Sequence, residues 1–439
     1  MLSGLIEYYY IMKNYKKILS ALVLILVASV TVNAQNEQSP YSKFGYGILR
    51  DYSTSMQRNM GGVGIAMTGG RQVNVMNPAS YAGVDSLTLI WDLGIDLTRL
   101  WSKENSEKGK SFGGGLDYLT LQFPISKFMG GSIGLVPYSS VGYSFGADVT
   151  DKDGKEVGSS SFAGEGGISE LYVGVGAKLF KGFTLGANFS YQFGTIINDS
   201  YINDEYGTTS TLFERTMEIR DWNILLGLQY TMNFRQLHKV TIGANYSPKK
   251  DFHGKTWGTY YDINSDAKPD TVGYTRLKDG AYTKPHSFGV GVSYTYNDQF
   301  TVEGDFSYQQ WSKANYATLF DEKGNPISES TRFDDKWKGA LGFQYVASDR
   351  GAYHKRIAYR LGGFYSRDYI MVGDNHTREY GASIGFGFPT MGTKTVINLG
   401  FEYRRRQAYP AKNLVSENYF SITLGVNFNE FAFWQNKIR

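Results

Sequence analysis

Cysteine is absent from the 439 residues, proline is scarce at 10, and the net charge is only +4. The lack of cysteine excludes disulfide frameworks, thiolate zinc sites, cysteine nucleophiles and a lipid-modified N-terminal cysteine. The near-balanced charge provides no concentrated basic face, which argues against a nucleic-acid partner. The longest apolar stretch, Ile18–Val32, is shorter than the about 20 residues of a membrane-spanning helix. A membrane location would therefore require a closed β-barrel.

Glycine and aromatic residues are abundant instead, with 52 Gly, 34 Tyr and 27 Phe. Tyrosine and phenylalanine favour strands, whereas frequent glycine disfavours helices. This composition predicts an all-β protein.

The N-terminus has the pattern of a secretory signal. Lys13, Lys16 and Lys17 precede the apolar stretch, and Ala34 follows it. A basic region, a short apolar region and a small residue before the cleavage site are typical of an exported protein. We predict a signal peptide at residues 1–34. The alternative, a transmembrane anchor, would require a longer stretch.

Residues 35–85 form an irregular segment rich in turn formers, and residues 86–439 are repetitive. Within residues 183–194, 300–309 and 397–404, apolar and polar or small residues alternate, so each segment has two different faces. Fourteen strands are predicted, near 86–100, 112–124, 130–148, 168–180, 183–196, 217–233, 239–261, 285–296, 299–311, 332–346, 355–366, 378–388, 394–406 and 417–431.

Three features favour a transmembrane barrel over a soluble β-sandwich. The predicted strands exceed the average of ~5–6 residues found in soluble proteins. Short connections such as 181–182 and 297–298 alternate with long ones at 149–167, 197–216, 262–284 and 312–331. Aromatic residues cluster toward strand ends, as in interfacial girdles. We predict a 14-stranded antiparallel barrel in the outer membrane of a Gram-negative bacterium, in contact with the lipid bilayer.

Catalytic residues are not predicted, because the five histidines fall on both sides of the barrel without a nucleophile placed beside them. Glu303, Asp305, Glu402 and Arg404 fall on inward faces. They are interpreted as hydrated or paired lumen residues, with substrate contact as the alternative.

Two further features are candidate sites. The first is an oxygen-ligand series resembling a calcium loop, although Ala267 stands where the sharp turn needs glycine; the alternative is a solvated acidic loop. Its members are Asp262, Asn264, Asp266 and Asp270. The second is Pro137, which lies inside the third predicted strand close to Gly134. Proline cannot donate a ladder hydrogen bond, so we expect either a lateral opening or a bulge there.

The order of several motifs resembles the FadL/TodX group of outer-membrane transporters of hydrophobic compounds, in a branch like that common in Bacteroidota. The motifs include Asn77-Pro78-Ala79, the stretches 284–291 and 305–312, and 385–389. The resemblance implies fourteen strands and an N-terminal hatch, here residues 35–85, that plugs the lumen. It also implies that hydrophobic molecules leave sideways through a kinked third strand.

Two functions follow from this pattern. The leading one is passive diffusion of hydrophobic small molecules such as fatty acids across the outer membrane. The rival is a structural barrel subunit of a larger assembly, such as protein-insertion or export machinery, with other outer-membrane proteins as partners. An apolar pocket under the loops would favour transport, and a lumen filled by the hatch would favour the rival.

The calcium hypothesis predicts that residues 262–270 become ordered when calcium is added and loosen with chelator, because the ion would hold four oxygen ligands together. Hydrogen exchange of this loop measures the effect. Exchange that is the same under both treatments would leave only the solvated loop.

Overall fold

The computed structural model describes residues 38–150, 156–204, 210–235, 237–262, 270–276, 282–316, 332–390, 394–411 and 414–431. The predicted signal peptide, residues 1–34, lies outside these ranges.

Fourteen antiparallel strands form a closed ring. The last strand pairs with the first from Ser416–Lys103 to Phe431–Thr88. The strands are β1 (Thr88–Glu104), β2 (Glu107–Ser126), β3 (Met129–Thr150), β4 (Glu156–Phe180), β5 (Phe183–Asp204), β6 (Ser210–Phe234), β7 (His238–Ser247 and Gly254–Asp262), β8 (Asp270–Arg276 and Ser287–Tyr296), β9 (Phe300–Gln309), β10 (Lys336–Val346), β11 (Ala358–Val372), β12 (Asn375–Pro389), β13 (Val396–Tyr409) and β14 (Ser416–Phe431).

Side chains alternate between the two faces of the barrel wall, with apolar ones outside and polar ones inside, as expected for a wall surrounded by lipid. Outward apolar side chains are exposed, such as Val173 at 57% and Phe189 at 58%, whereas inward Gln192 and Glu303 are 0% exposed. An apolar outer band around a polar interior is the pattern of outer-membrane barrels. In the described part of the chain, no helix has the length and hydropathy needed to cross a bilayer.

The predicted loops at 149–167 and 197–216 are largely strand in the structure, so these two predictions are wrong. β3 and β4 remain paired to Thr150–Glu156, and β5 and β6 to Asn203–Ser210. The first hairpin is closed by the tight turn at Asn105 and Ser106, with φ of 49° at Asn105. These strands continue past the apolar alternation, since backbone pairing outside the bilayer does not require an apolar face.

The seventh and eighth predicted strands are also corrected. β7 is interrupted at residues 248–253, where Lys250–Asp251 pairs with Thr283–Lys284 in a separate small sheet. Part of the predicted connection 262–284 is the strand Asp270–Arg276, which pairs with the outer half of β7.

Residues 38–87, hereafter the N-terminal segment, lie against the inner wall. This segment contains one two-residue strand, Ile48–Leu49, and three short helical turns, Pro40–Lys43, Ser55–Arg58 and Pro78–Gly83. Pro78 starts its turn at a position where its missing N–H is not needed. The segment contacts strands around the whole ring.

Inward-facing glycines make these contacts close, and we call them the glycine belt. Many are direct partners across neighbouring strands, and one uninterrupted series crosses β3 to β6. A Cβ at Gly186 would stand 2.3 Å from the Pro78 carbonyl carbon, and one at Gly362 would stand 2.0 Å from that of Met60. Because these glycines lack side chains, the segment can bring its backbone, or short side chains such as Asn59 and Ser55, directly against the wall. The belt comprises Gly130, Gly176, Gly186, Gly227, Gly243, Gly291, Gly342, Gly362, Gly385, Gly400 and Gly425.

Gly186→Val should displace the N-terminal segment, because the added carbons would overlap the backbone at Pro78 and Ala79. Overpacking of this kind costs about 1–3 kcal/mol. The matched control is Gly339→Val, where a Cβ has no atom within 4 Å. Limited proteolysis of residues 38–87 in detergent-solubilised barrels should show faster cleavage in Gly186→Val alone. Equal cleavage in both variants would contradict the close fit.

Candidate functional site

Inward carboxylates on β9 hold the N-terminal segment by its backbone. Asp305 Oδ2 accepts hydrogen bonds from the N–H groups of Gly64 at 2.7 Å and Ile65 at 2.9 Å, and Glu303 Oε1 accepts one from Ala66 at 3.0 Å. These two predicted lumen residues therefore contact the chain itself.

Asn77, Pro78 and Ala79 are fully or nearly fully buried in the segment. The Asn77 side chain caps the following turn by accepting from Ala79 N at 3.2 Å, and its Nδ2 donates to Ile65 O at 2.7 Å and Leu228 O at 3.1 Å. This motif thus joins two parts of the segment to β6.

A layer of charged side chains lies beyond the glycine belt toward the loop end. Arg58 pairs with Asp117 at 2.7 Å, and Lys338 pairs with Asp51 at 2.5 Å. Glu402 and Arg404, the other predicted lumen residues, border the same cavity of about 80 Å³, and their charged atoms lie 3.8 Å apart. This layer links segment and wall by ion pairs.

The Asp51 carboxyl is held ionised by its partners. Burial raises its pKa, but the ammonium groups of Lys338 and Lys336 and the hydrogen bond from Lys338 outweigh burial and lower the pKa to about 2. The ionised carboxylate therefore helps to retain the N-terminal segment at neutral pH.

Aromatic side chains fill the lumen under the loops. Tyr46 of the N-terminal segment packs against Phe252 at a ring-centroid distance of 4.9 Å and against Tyr316 at 5.0 Å. Trp311 packs against Tyr369 at 4.6 Å. All five are at most 2% exposed. We call them, with Tyr282 and Phe333, the aromatic cap; it occupies the position expected for an apolar ligand pocket.

The ladder between β2 and β3 ends close to Pro137, whereas β3 itself continues from Met129 to Thr150. The ladder between β2 and β3 runs from Ser126–Met129 to Leu119–Leu135 and ends there. Gly134 lies next to that end, where an added Cβ would stand 2.7 Å from Leu119 O and 2.9 Å from the Tyr172 ring. A register shift between Pro137 and Ser139 marks the same point in the β3–β4 ladder. We call the space between the outer halves of β2 and β3 the seam.

The predicted calcium ligands are only partly described. Asn264 and Asp266 lie outside the described residues, and Asp262 and Asp270 are placed only as strand ends. Within the described ranges, no group of three or more His, Asp and Glu side chains could hold a metal ion. Calcium binding stays a prediction.

Sequence reasoning missed the glycine belt and the aromatic cap. Glycine at alternate strand positions was visible, but its partners depend on register across the ring. The cap combines Tyr46 with residues such as Phe252, Trp311 and Tyr369, which lie more than 200 positions away in the chain. Patterns within a single strand could not reveal either feature.

Solved structures with a similar fold include two described as toluene transporters. A FadL homologue from Pseudomonas aeruginosa is 14% identical, with a TM-score of 0.63 over 87% of this chain and 99% of that one. The toluene transporter TbuX of Ralstonia pickettii is 15% identical (TM-score 0.59, 86% and 98% covered). TodX of Pseudomonas putida is 14% identical (0.58, 88% and 100%). At such identities the likeness establishes the fold: an integral outer-membrane barrel.

A family model described as BamG matches residues 15–439. No protein of curated function matches the chain in sequence.

Asp51→Asn should weaken retention of the N-terminal segment at pH 5. Because the folded pKa is depressed, the carboxylate stabilises docking above its unfolded pKa of ~3.9, and this contribution is lost as the pH falls toward 2. Asp51 is 39% exposed, so the expected loss is at most about 1 kcal/mol. Hydrogen exchange of residues 49–62 should differ between variant and parent at pH 5 and converge near pH 2. Exposed Asp349→Asn is the control. A difference that persists at pH 2 would contradict the ion-pair argument.

Proposed function

The chain belongs to the BamG family, and on that premise we propose that it is a non-transporting barrel subunit of a larger outer-membrane assembly. The proposed assembly is of the protein-insertion or export class. In this role the barrel is anchored by its apolar wall and offers its wall, loops or turns to protein partners.

The observation that carries this proposal is the filled lumen. The N-terminal segment packs on the glycine belt near the turn end, and the charged layer comes next. The aromatic cap then closes the loop end. The two cavities beside residues 49–51 measure about 80 and 100 Å³, whereas small-molecule sites usually measure ~300–1,000 Å³. This arrangement supports a rigid structural element more than a conduit.

Diffusion of hydrophobic small molecules, such as fatty acids, is the second candidate. It is favoured by the break at Pro137 and by two cavities along the seam, of about 260 and 620 Å³. The larger one could accept a small apolar molecule, but Lys43, Glu104 and Lys108 contribute to its lining. The transport role of the structurally similar proteins supports this candidate only through the fold.

Purification of the full-length chain from native outer membranes in mild detergent tests the leading proposal. We expect stoichiometric co-purification of defined outer-membrane proteins, because a structural subunit has to remain bound to its assembly. Depletion of the chain should lower the folded fraction of other outer-membrane barrels in semi-native gels. A lone barrel that carries a bound hydrophobic molecule would contradict the proposal.

Closing the seam tests the second candidate. The pair Leu116→Cys and Ser139→Cys borders one cavity between β2 and β3, and a bifunctional thiol crosslinker that reaches across the strand Ile48–Leu49 should join the two. The control pair, Leu119→Cys and Leu135→Cys, joins residues already partnered in the ladder. Under the leading proposal, both crosslinked variants take up hydrophobic compounds like the parent. Uptake that falls several-fold only in the seam pair would instead support transport.

A further inference from the structure

The outer half of β2 has one unpaired edge. β2 pairs with β1 along its length, from Gln122–Ile90 to Glu107–Glu104. Its ladder with β3 ends at Leu119. Among the described residues, residues 107–118 have no strand partner on the side that faces β3.

The facing edge of β3 is already occupied by an added strand. Ile48 pairs with Ser140 and Leu49 with Ser139. Arg50 N donates to Tyr138 O at 2.9 Å. The N-terminal segment therefore completes β3 as a short extra strand. An extended part of the N-terminal segment therefore already lies in the seam, where it pairs with β3 but not with β2.

Room remains beside the β2 edge. The 260 Å³ cavity is bordered by residues 114–117 of β2 and by 137 and 139–140 of β3, and the 620 Å³ cavity by residues 107–111. Ser139, only 4% exposed, borders the smaller cavity, and its hydroxyl has no hydrogen-bond partner within the described structure. A ligand that fills this space must supply polar groups.

The inner part of the unpaired edge, from Phe112 to Leu116, lies within the apolar band. Phe112 and Leu116 project outward from it and are 58% and 55% exposed. In hydrocarbon, each unsatisfied backbone N–H or C=O group costs several kcal/mol. An acyl chain or an apolar molecule cannot satisfy these groups, whereas an extended peptide can, by strand addition. Gly113, Gly114 and Gly115 have no side chains that would obstruct an approaching backbone.

We infer that the β2 edge, residues 108–117, binds an extended strand of a partner polypeptide of the outer membrane. The pairing adds backbone hydrogen bonds along β2, and the glycines accept the incoming strand closely. This inference rests on the proposed function as an assembly subunit, and it names the surface that such a partner would use.

Photo-crosslinking in native outer membranes locates the partner. A benzophenone amino acid replaces Phe112 or Leu116 at the edge. The matched controls are Val173 and Phe189, which are similarly exposed, at 57% and 58%, but lie on β4 and β5, strands paired on both sides. We expect an adduct at the edge positions only, and mass spectrometry should map it to an extended segment of a protein that also co-purifies.

Hydrogen exchange then tests the backbone pairing directly. Amides of residues 108–117 should exchange at least about tenfold more slowly in the native complex than in the isolated barrel, while the β4 and β5 amides stay unchanged. Co-purification of a partner without this protection would overturn the inference and leave the proposed function intact. A barrel without any partner overturns both. If lipid or a hydrophobic compound alone slows the exchange of these amides, strand addition is overturned and transport is favoured.

Discussion

The requirement that backbone polar groups be paired in hydrocarbon governs this structure. A closed ring satisfies it for every strand at once, and the pairing of β14 with β1 completes that ring. Period-2 alternation then follows, because one face meets lipid and the other the lumen. Pairing is incomplete in places, and in the outer half of β2 one edge of a wall strand has no strand partner; the strand added on β3 pairs with β3 alone.

Closure of fourteen strands creates a second requirement, since the enclosed space exceeds what inward side chains fill. The N-terminal segment meets it by following the wall at backbone contact distance. Glycine at positions such as Gly186 and Gly362 makes that contact sterically feasible, and carboxylates such as Asp305 satisfy the N–H groups of the incoming chain. Glycine weakens an isolated strand, and a buried acid weakens an apolar core. Here the glycines give the N-terminal segment room, and the acids accept hydrogen bonds from its N–H groups.

The sequence predicted the strand number, because apolar alternation is a local rule. It also indicated an irregularity at Pro137, since proline cannot donate to a ladder, and the β2–β3 ladder ends two residues before it. It failed where structure extends beyond the bilayer. Residues 197–204 lack a regular apolar alternation, yet residues 197–203 pair with β6, because backbone pairing does not depend on an apolar face. Asp305 was interpreted as a lumen residue without a defined partner, since its partners Gly64 and Ile65 are about 240 positions earlier. Register across the ring, and hence the glycine belt, is not encoded in any single strand.

The three layers of the lumen lie in series, which affects how any function can be performed. Passage along the axis would have to displace segment backbone from the glycine belt, open ion pairs such as Arg58–Asp117, and separate the aromatic cap around Tyr46. Contact with other molecules is therefore directed to the wall and its seam. What the seam accepts depends on its unpaired backbone, and a polar edge in hydrocarbon discriminates in favour of another polypeptide strand over an apolar solute.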